Sequence, residues 1–341
     1  VQYTDNEGNC VNVWSVVGDA TVYACWLDLF SYQLNGGKDG YVVSAGPGLA
    51  YVTSAKVPET YDAKPVTAVN ILTGATKLVS ISIPDTAAIE TGTEQGVTTS
   101  SFQLCESLAE IVVYTTGNQP TPKYVSDNGA LYAVTYGGEE GTDVTSKTLV
   151  IVPLGKTGDF VVASDATAIG NYAMYKSKLG KVVVPSKVAF VGSNAMSTCA
   201  DLTEVEFLSE AEGEEVQPLV FDTAVFKSSA ALTRLVLPTR LADSSVSDAT
   251  RSVGFDTTIL DTCTALETIE MVGYADGYYS AIDGILYNKA GTDVYYCPRG
   301  RKAAVTFGGN VSVIHQEAFK SCLQISSVTI SSGLTRICRN A

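Results

Sequence analysis

A chain of 341 residues with one histidine has a single imidazole to offer any catalytic triad or dyad. His315 stands in the stretch VIHQEAF. Ser-His-Asp or Cys-His catalysis would need it as the base. Its place recurs along the chain as a glycine on a turn, so it reads as a solvent-exposed turn residue. No GxSxG, P-loop, HExxH or dinucleotide fingerprint is present. The eight cysteines include no CxxC pair and no Cys/His cluster, which argues against structural zinc. Cys105, Cys199, Cys263 and Cys322 share one sequence environment. A small, weakly polar side chain filling a tight buried turn accounts for them better than metal ligation or redox chemistry. Cys10 and Cys25 flank VNVWSVVGDATVYA, two strands about a Gly-Asp turn, and are candidates for a disulfide across that hairpin. The acidic turns DNEGN at Asp5 and EEGTD at Glu139 lack EF-hand spacing and read as solvated. The expectation is a protein without catalytic residues, cofactor or metal.

The formal net charge is −14, from 22 basic and 36 acidic residues. That disfavours a nucleic-acid backbone or an anionic lipid surface as partner. An apolar fraction of 45% against 17% charged residues marks a folded chain. No apolar run reaches the ~18 residues that cross a bilayer, so no membrane insertion by this segment is expected. No charged-then-apolar leader stands at Val1. Few Lys and Arg, 18 Tyr and abundant Thr, Ser, Val and Gly lean toward an exported protein.

What positions the four cysteines is a worn internal repeat. CESLAEIVV at Cys105, CADLTEVEF at Cys199, CTALETIEM at Cys263 and CLQISSVTI at Cys322 share the form C-x-x-L-x-x-[ILV]-x-[ILV]. SAALTRLVLP at Ser229, KSKLGKVVVP at Lys176 and ATKLVSISIP at Ala75 fit with another first residue. The core L-x-x-L-x-L is a leucine-rich repeat signature with a period of about 20–29 residues. In a short strand alternate residues point inward, so the last two apolar positions face the core and the residue between them faces out. One coil cannot bury its own apolar face; copies must stack into a parallel sheet. A second motif, V/A-x-x-[IV]-x-x-x-A-[MF], occurs at Ala166, Val188 and Val311. LTRICRNA at the C-terminus fits it up to Ala341, where Phe or Met should follow, so the sequence stops mid-repeat. At longer range YVSDNGALY (Tyr124–Tyr132) pairs with YYSAIDGILY (Tyr278–Tyr287), each followed by a strand-like run ending in Pro153 or Pro298. Asn-Gly and Asp-Gly between apolar runs predict hairpins, because a type I′ turn needs φ > 0.

These residues resemble the BspA-like leucine-rich repeat proteins, which carry C-x-x-L-x-x-[IV]-x-[IV]-P, [IV]-G-x-x-A-[FM] and an interposed Y-x-x-x-D-G-x-L-Y…P hairpin. The resemblance covers roughly Pro65 to Ala341. It implies a mainly β, irregular right-handed solenoid with a parallel β-sheet face. The expected organisation is an N-terminal β-rich cap at 1–64 and the solenoid at 65–341, with hairpin insertions near 118–153 and 274–298. For function it implies non-catalytic, extracellular or cell-surface binding, adhesin-like, to a protein or a cell-surface or matrix ligand. The alternative is a structural subunit of a surface filament or lattice, a homo-oligomer assembling end to end through its open terminal coil.

The candidate binding face is the outward row of the parallel sheet: Glu110 and Val112, Lys181 and Val183, Glu204 and Glu206, Arg234 and Val236, Thr268 and Glu270, continuing to Ser327 and Thr329. It reads as a ladder of mixed charge with exposed valines in its middle. The Tyr-rich hairpins, with Tyr124, Tyr132, Tyr136, Tyr274, Tyr278, Tyr279 and Tyr287, offer a second contact surface.

Overall fold

A computed structural model describes residues 27–341 apart from 90–92, 95, 96, 99, 100, 103, 118, 119, 243–246, 249, 250, 253, 254 and 275. Cys10, Cys25 and the strand pair expected between them lie outside the described residues.

Each coil is built from the C-x-x-L turn. The leucine N–H donates to the carbonyl of the first residue, Leu108 to Cys105, Leu232 to Ser229 and Leu266 to Cys263. The leucine is thereby tucked under the strand that follows, and Leu108, Leu232 and Leu266 are fully buried. The strands then stack in parallel. Ser54–Lys56, Ser80–Pro84 and Glu110–Tyr114 form one segment, and Thr157–Val161, Lys178–Val184, Glu204–Phe207, Arg234–Pro238 and Thr268–Val272 form the longest. Val305–Thr306 and Val328–Thr329 form a third. The first segment begins upstream of residue 65, and the hairpin pairing Thr60 with Pro65 and Tyr61 with Lys64 spans the expected cap boundary.

The opposite side of the stack carries two-residue strands, Ala168–Ile169, Phe190–Val191 and Val220–Phe221, paired in parallel. Between the two sides the chain turns through paired left-handed residues four apart, none of them glycine: Tyr172 and Lys176, Asn194 and Thr198, Ala224 and Ser228, Glu317 and Ser321. A left-handed L-residue costs roughly 1–2 kcal/mol, and bonding between coils holds it there. Tyr172, Met174 and Lys176 donate their N–H groups to Ser193, Ala195 and Ser197 of the next coil, and Asn194, Met196 and Thr198 repeat the pattern onto Thr223, Val225 and Lys227. This geometry corrects one alignment. Ser177, not Lys176, fills the cysteine place in its coil, since it follows the left-handed residue, is buried, and donates its N–H to Met174 as Cys105 does to Phe102.

The parallel sheet is divided into these segments by the inserted hairpins. The first consists of Tyr124–Asp127, Ala130–Gly137 and Asp143–Ile151, and the second of Tyr279–Ile282, Ile285–Asn288 and Asp293–Tyr296. The tip of each inserts against a strand edge: Ile111 N–H donates to the Gly129 carbonyl, and Ile269 N–H to that of Gly284. The middle strands are walls between cores. Ala130 and Tyr132 face the central core while Leu131 faces the N-terminal one. Leu286 faces the central core while Ile285 and Tyr287 face the C-terminal one. A strand buried on both faces must be apolar at successive positions, which explains the unbroken ALY and ILY. The tyrosines therefore do not form one contact surface: Tyr132, Tyr279 and Tyr287 are buried, Tyr124 and Tyr136 half-buried, and only Tyr274 and Tyr278 of that set are exposed.

After each wall the chain docks through a glycine. Gly155 N–H donates to Leu108 O and Gly300 N–H to Leu266 O, each at 2.7 Å. A Cβ on Gly155 would lie 2.3 Å from the Ser107 carbonyl oxygen, and one on Gly300 2.5 Å from that of Ala265.

Candidate binding face and the junction beside it

The longest sheet segment brings eight of the ten candidate residues together. Lys181, Glu204, Arg234 and Thr268 align across neighbouring strands, and Val183, Glu206, Val236 and Glu270 align two residues further on. Their side chains alternate with the buried Val182, Val205, Leu235 and Ile269, as the period of two requires. Glu110 and Val112 lie on the preceding segment, paired with Ser80 and Ser82, beyond the tip of the first hairpin.

The charges of this face are spent on one another. Lys181 Nζ donates to Glu204 Oε1 and Glu206 Oε2, both at 2.8 Å. Arg234 reaches Glu204 with Nη1 at 2.7 Å and grips Glu270 with Nε and Nη2, both at 2.8 Å. The hydrogen bond from Lys181 holds the Glu204 carboxyl below its ordinary range, and Arg234 does the same for Glu270. The carboxylates in turn raise Lys181 and Arg234 above their usual values. The expected exposed valines are a correction. Val236 is 2% exposed, with Glu206 and Glu270 beside it in register and the anchored Arg234 two residues away. Val112 and Val183 are half-buried.

Beside Glu110 the sheet is interrupted by a hollow of about 340 Å³, lined by Glu110, Val112, Ser126, Asn128 and Lys156 among others. Val113 N–H donates at 2.9 Å to Oγ of Ser126, one of the lining residues. The second junction is filled differently. There Arg301, itself buried, donates to the carbonyl and the carboxylate of Asp283. Asn128 stands in the turn where Asp283 stands in the second hairpin, and Lys156 follows Pro153 by the same interval as Arg301 follows Pro298. Lys156 forms no salt bridge among the described residues. Sequence reasoning missed this hollow; comparing the two hairpin turns residue by residue, Asn128 against Asp283, would have found it.

His315 is half-buried rather than freely exposed. Its ring stacks on Tyr295 at 4.5 Å between centroids, and Nε2 lies 3.4 Å from Asp293 Oδ1. The other Asp293 oxygen accepts from Asn288 Nδ2 and Thr292 Oγ1, each at 2.6 Å. The Thr292 hydroxyl thus serves the carboxylate and not the imidazole, an arrangement that braces a turn rather than activating a nucleophile. Cys105 and Cys263 are buried deeply enough that their thiols are pushed up to about 12, and burial raises Cys199 as well. Their sulfurs point at the carbonyls of Leu72, Phe226 and Met174. Among the described residues no three His, Cys, Asp or Glu side chains converge as a metal site. No helix among them is long and apolar enough to cross a membrane.

The family model described as the BspA type leucine rich repeat region matches six copies in this chain, over residues 156–244 and 293–341. The chain carries BspA-type leucine-rich repeats in those two stretches. The first matched stretch begins after the first hairpin and the second at the last strand of the second hairpin. The chain is similar to a leucine rich cell surface protein from Faecalibacterium prausnitzii, at 14% identity and a TM-score of 0.33, covering 76% of this chain and 97% of that one. It is also similar to the leucine rich repeat protein of T. pallidum, at 18% and 0.28, covering 72% and 80%. For the pneumococcal vaccine antigen PcpA the values are 14% and 0.34, with 90% and 70% covered. No curated protein matches the sequence.

Proposed function

We propose that this protein, with its BspA-type repeats, is a non-catalytic, adhesin-like binding protein of the cell surface. Its outward sheet face and the adjoining hollow would receive a protein or a cell-surface or matrix ligand. The observation that carries the reading is the linked set Lys181, Glu204, Glu206, Arg234 and Glu270, five long side chains on four adjoining strands held in one arrangement by mutual salt bridges. Side chains ordered before contact lose little freedom on contact, which removes one of the costs of binding. The hollow at Lys156 adds a concave element with an amine that no carboxylate occupies. The test is adherence of beads coated with the protein to cultured epithelial cells and to immobilised matrix glycoproteins. Arg234→Ala together with Glu206→Lys should lower adherence tenfold or more, while Lys178→Ala, at the start of one strand of the same sheet, should not. Equal adherence of all three proteins would remove the face from the proposal.

A second reading, end-to-end assembly, has one observation in its favour. The last described coil exposes Leu323, Ile330 and Ile337 at 89%, 52% and 58%. Further coils of the same polypeptide would cover them equally well. Sedimentation velocity across a hundredfold concentration range separates the two, since only self-assembly moves the sedimentation coefficient.

A further inference from the structure

Three of the coil cysteines point their sulfur at a carbonyl whose residue carries no thiol. Cys322 does not. It fills the same place in its coil, but its Sγ lies 3.3 Å from the carbonyl of Cys297 and 3.7 Å from that of Pro298. The first hairpin supplies an internal comparison. Val152 donates its N–H to Ala173 O as Cys297 does to Ala318 O, and Ser177 follows left-handed Lys176 as Cys322 follows left-handed Ser321. One junction therefore pairs Val152 with Ser177, and the other pairs two thiols.

We infer that Cys297 and Cys322 form a reversible disulfide that fastens the coil after the second hairpin to the hairpin's last strand. Cys322 is half-buried and open to a reagent, whereas Cys297 is fully buried in the C-terminal core. Contact between the two thiols is the largest influence on both, lowering Cys322 below an ordinary thiol and raising Cys297, and the Arg299 guanidinium lowers Cys322 further. That assigns the order of events. The Cys322 thiolate attacks one sulfur of a low-molecular-weight disulfide RSSR, forming a mixed disulfide and expelling RS⁻. Cys297, giving up its proton, attacks Cys322 Sγ and expels the second RS⁻. The two protein thiols lose two electrons and two protons, and RSSR becomes two RSH. The bond closes a loop of about two dozen residues, long enough for cross-linking to suppress unfolding of that coil.

The test uses the full chain, equilibrated with oxidised glutathione, quenched with N-ethylmaleimide in denaturant, digested and read by mass spectrometry. The expected product is a peptide cross-linked through Cys297 and Cys322, with Cys105, Cys199 and Cys263 recovered as alkylated thiols. Cys297→Val should trap Cys322 as its mixed glutathione disulfide. The double variant Val152→Cys with Ser177→Cys should acquire a second cross-link at the first junction. Recovery of wild-type Cys322 as alkylated thiol, as mixed disulfide, or joined to Cys338 would overturn the assignment. Oxidation should also slow proteolytic cleavage between Arg299 and Ala341 by about tenfold; equal cleavage rates in the two forms would overturn the fastening role.

Discussion

Replacing Arg234 by Met tests whether the charged face is a structural lattice or a loose collection of surface ions. Arg234 holds Glu270 by two parallel hydrogen bonds and Glu204 by a third, at side-chain exposures of 35%, 44% and 25%. Half-exposed pairs with good bidentate geometry contribute ~0.5–1 kcal/mol. The Glu204 contact adds less, because Lys181 still holds that carboxylate after the change. Methionine keeps an apolar stem of similar length, so packing along the row is largely retained. The expected loss is about 1 kcal/mol, read as a shift in the urea midpoint at constant slope. Circular dichroism is the suitable signal, since both tryptophans, Trp14 and Trp26, lie outside the described residues. The folded pKa values of Glu204 and Glu270 are lowered, so their contribution is full above the unfolded value of roughly 4.3 and fades as pH falls through the folded values. The difference between wild type and Arg234→Met should therefore shrink below about pH 4 and in ~0.5 M salt. A loss of 3 kcal/mol or more, or one unmoved by acid and by salt, would refute the reasoning and mark Arg234 as a packing residue.

Three further outcomes follow from the same geometry. Tyr132→Phe removes the oxygen that accepts the Ala163 N–H at 3.0 Å within the central core; denaturant unfolding should show a loss of ~1–2 kcal/mol from the stranded donor. Gly300→Ala drives a Cβ into the Ala265 backbone, and hydrogen exchange should show lost protection in the second hairpin and the coil after it while the N-terminal core keeps its own. Ala224→Gly relieves a left-handed alanine at φ 57°; relief of ~1–2 kcal/mol set against ~0.5–1 kcal/mol of added chain entropy should leave the protein slightly more stable, and Ala224→Val should be clearly less stable.

The coil itself was legible because its signal is local. Cys105, Leu108 and Ile111 encode a turn, an anchor and an inward strand position within seven residues, and the structure uses each in that way. The left-handed pairs were not legible. Tyr172, Lys176, Ala224 and Glu317 carry no compositional mark for φ > 0, and Tyr172 and Lys176 are held by bonds to the next coil rather than by their own preference. The same blindness hid the copy ending at Val225-Phe226, where Val replaces the usual Ala. The outward row was correct in register, yet its exposure was misjudged at Val236, because strand alternation fixes which way a side chain points and not how tall its neighbours stand. The separation of Glu110 and Val112 from the other eight depends on the hairpin tip at Gly129, which bonds back to Ile111, a contact no local pattern encodes.

The two hairpin walls explain where such a stack can vary. Ala130, Leu131 and Tyr132, like Ile285, Leu286 and Tyr287, are packed between cores on both sides, so substitution there disturbs two coils at once. The tips carry a different constraint. Their backbone carbonyls, at Gly129 and Gly284, satisfy the edge of a parallel strand whatever side chains flank them. Side chains at a tip can therefore change without disturbing the stack. Asn128 with Lys156 on one side and Asp283 with Arg301 on the other are that change realised: the same backbone closure leaves an open hollow at one junction and a buried arginine paired to an exposed carboxylate at the other. A cation beside a hollow and a cation buried under its own carboxylate differ in what they can offer a partner, so the first junction is where this architecture gains a binding element without altering its core.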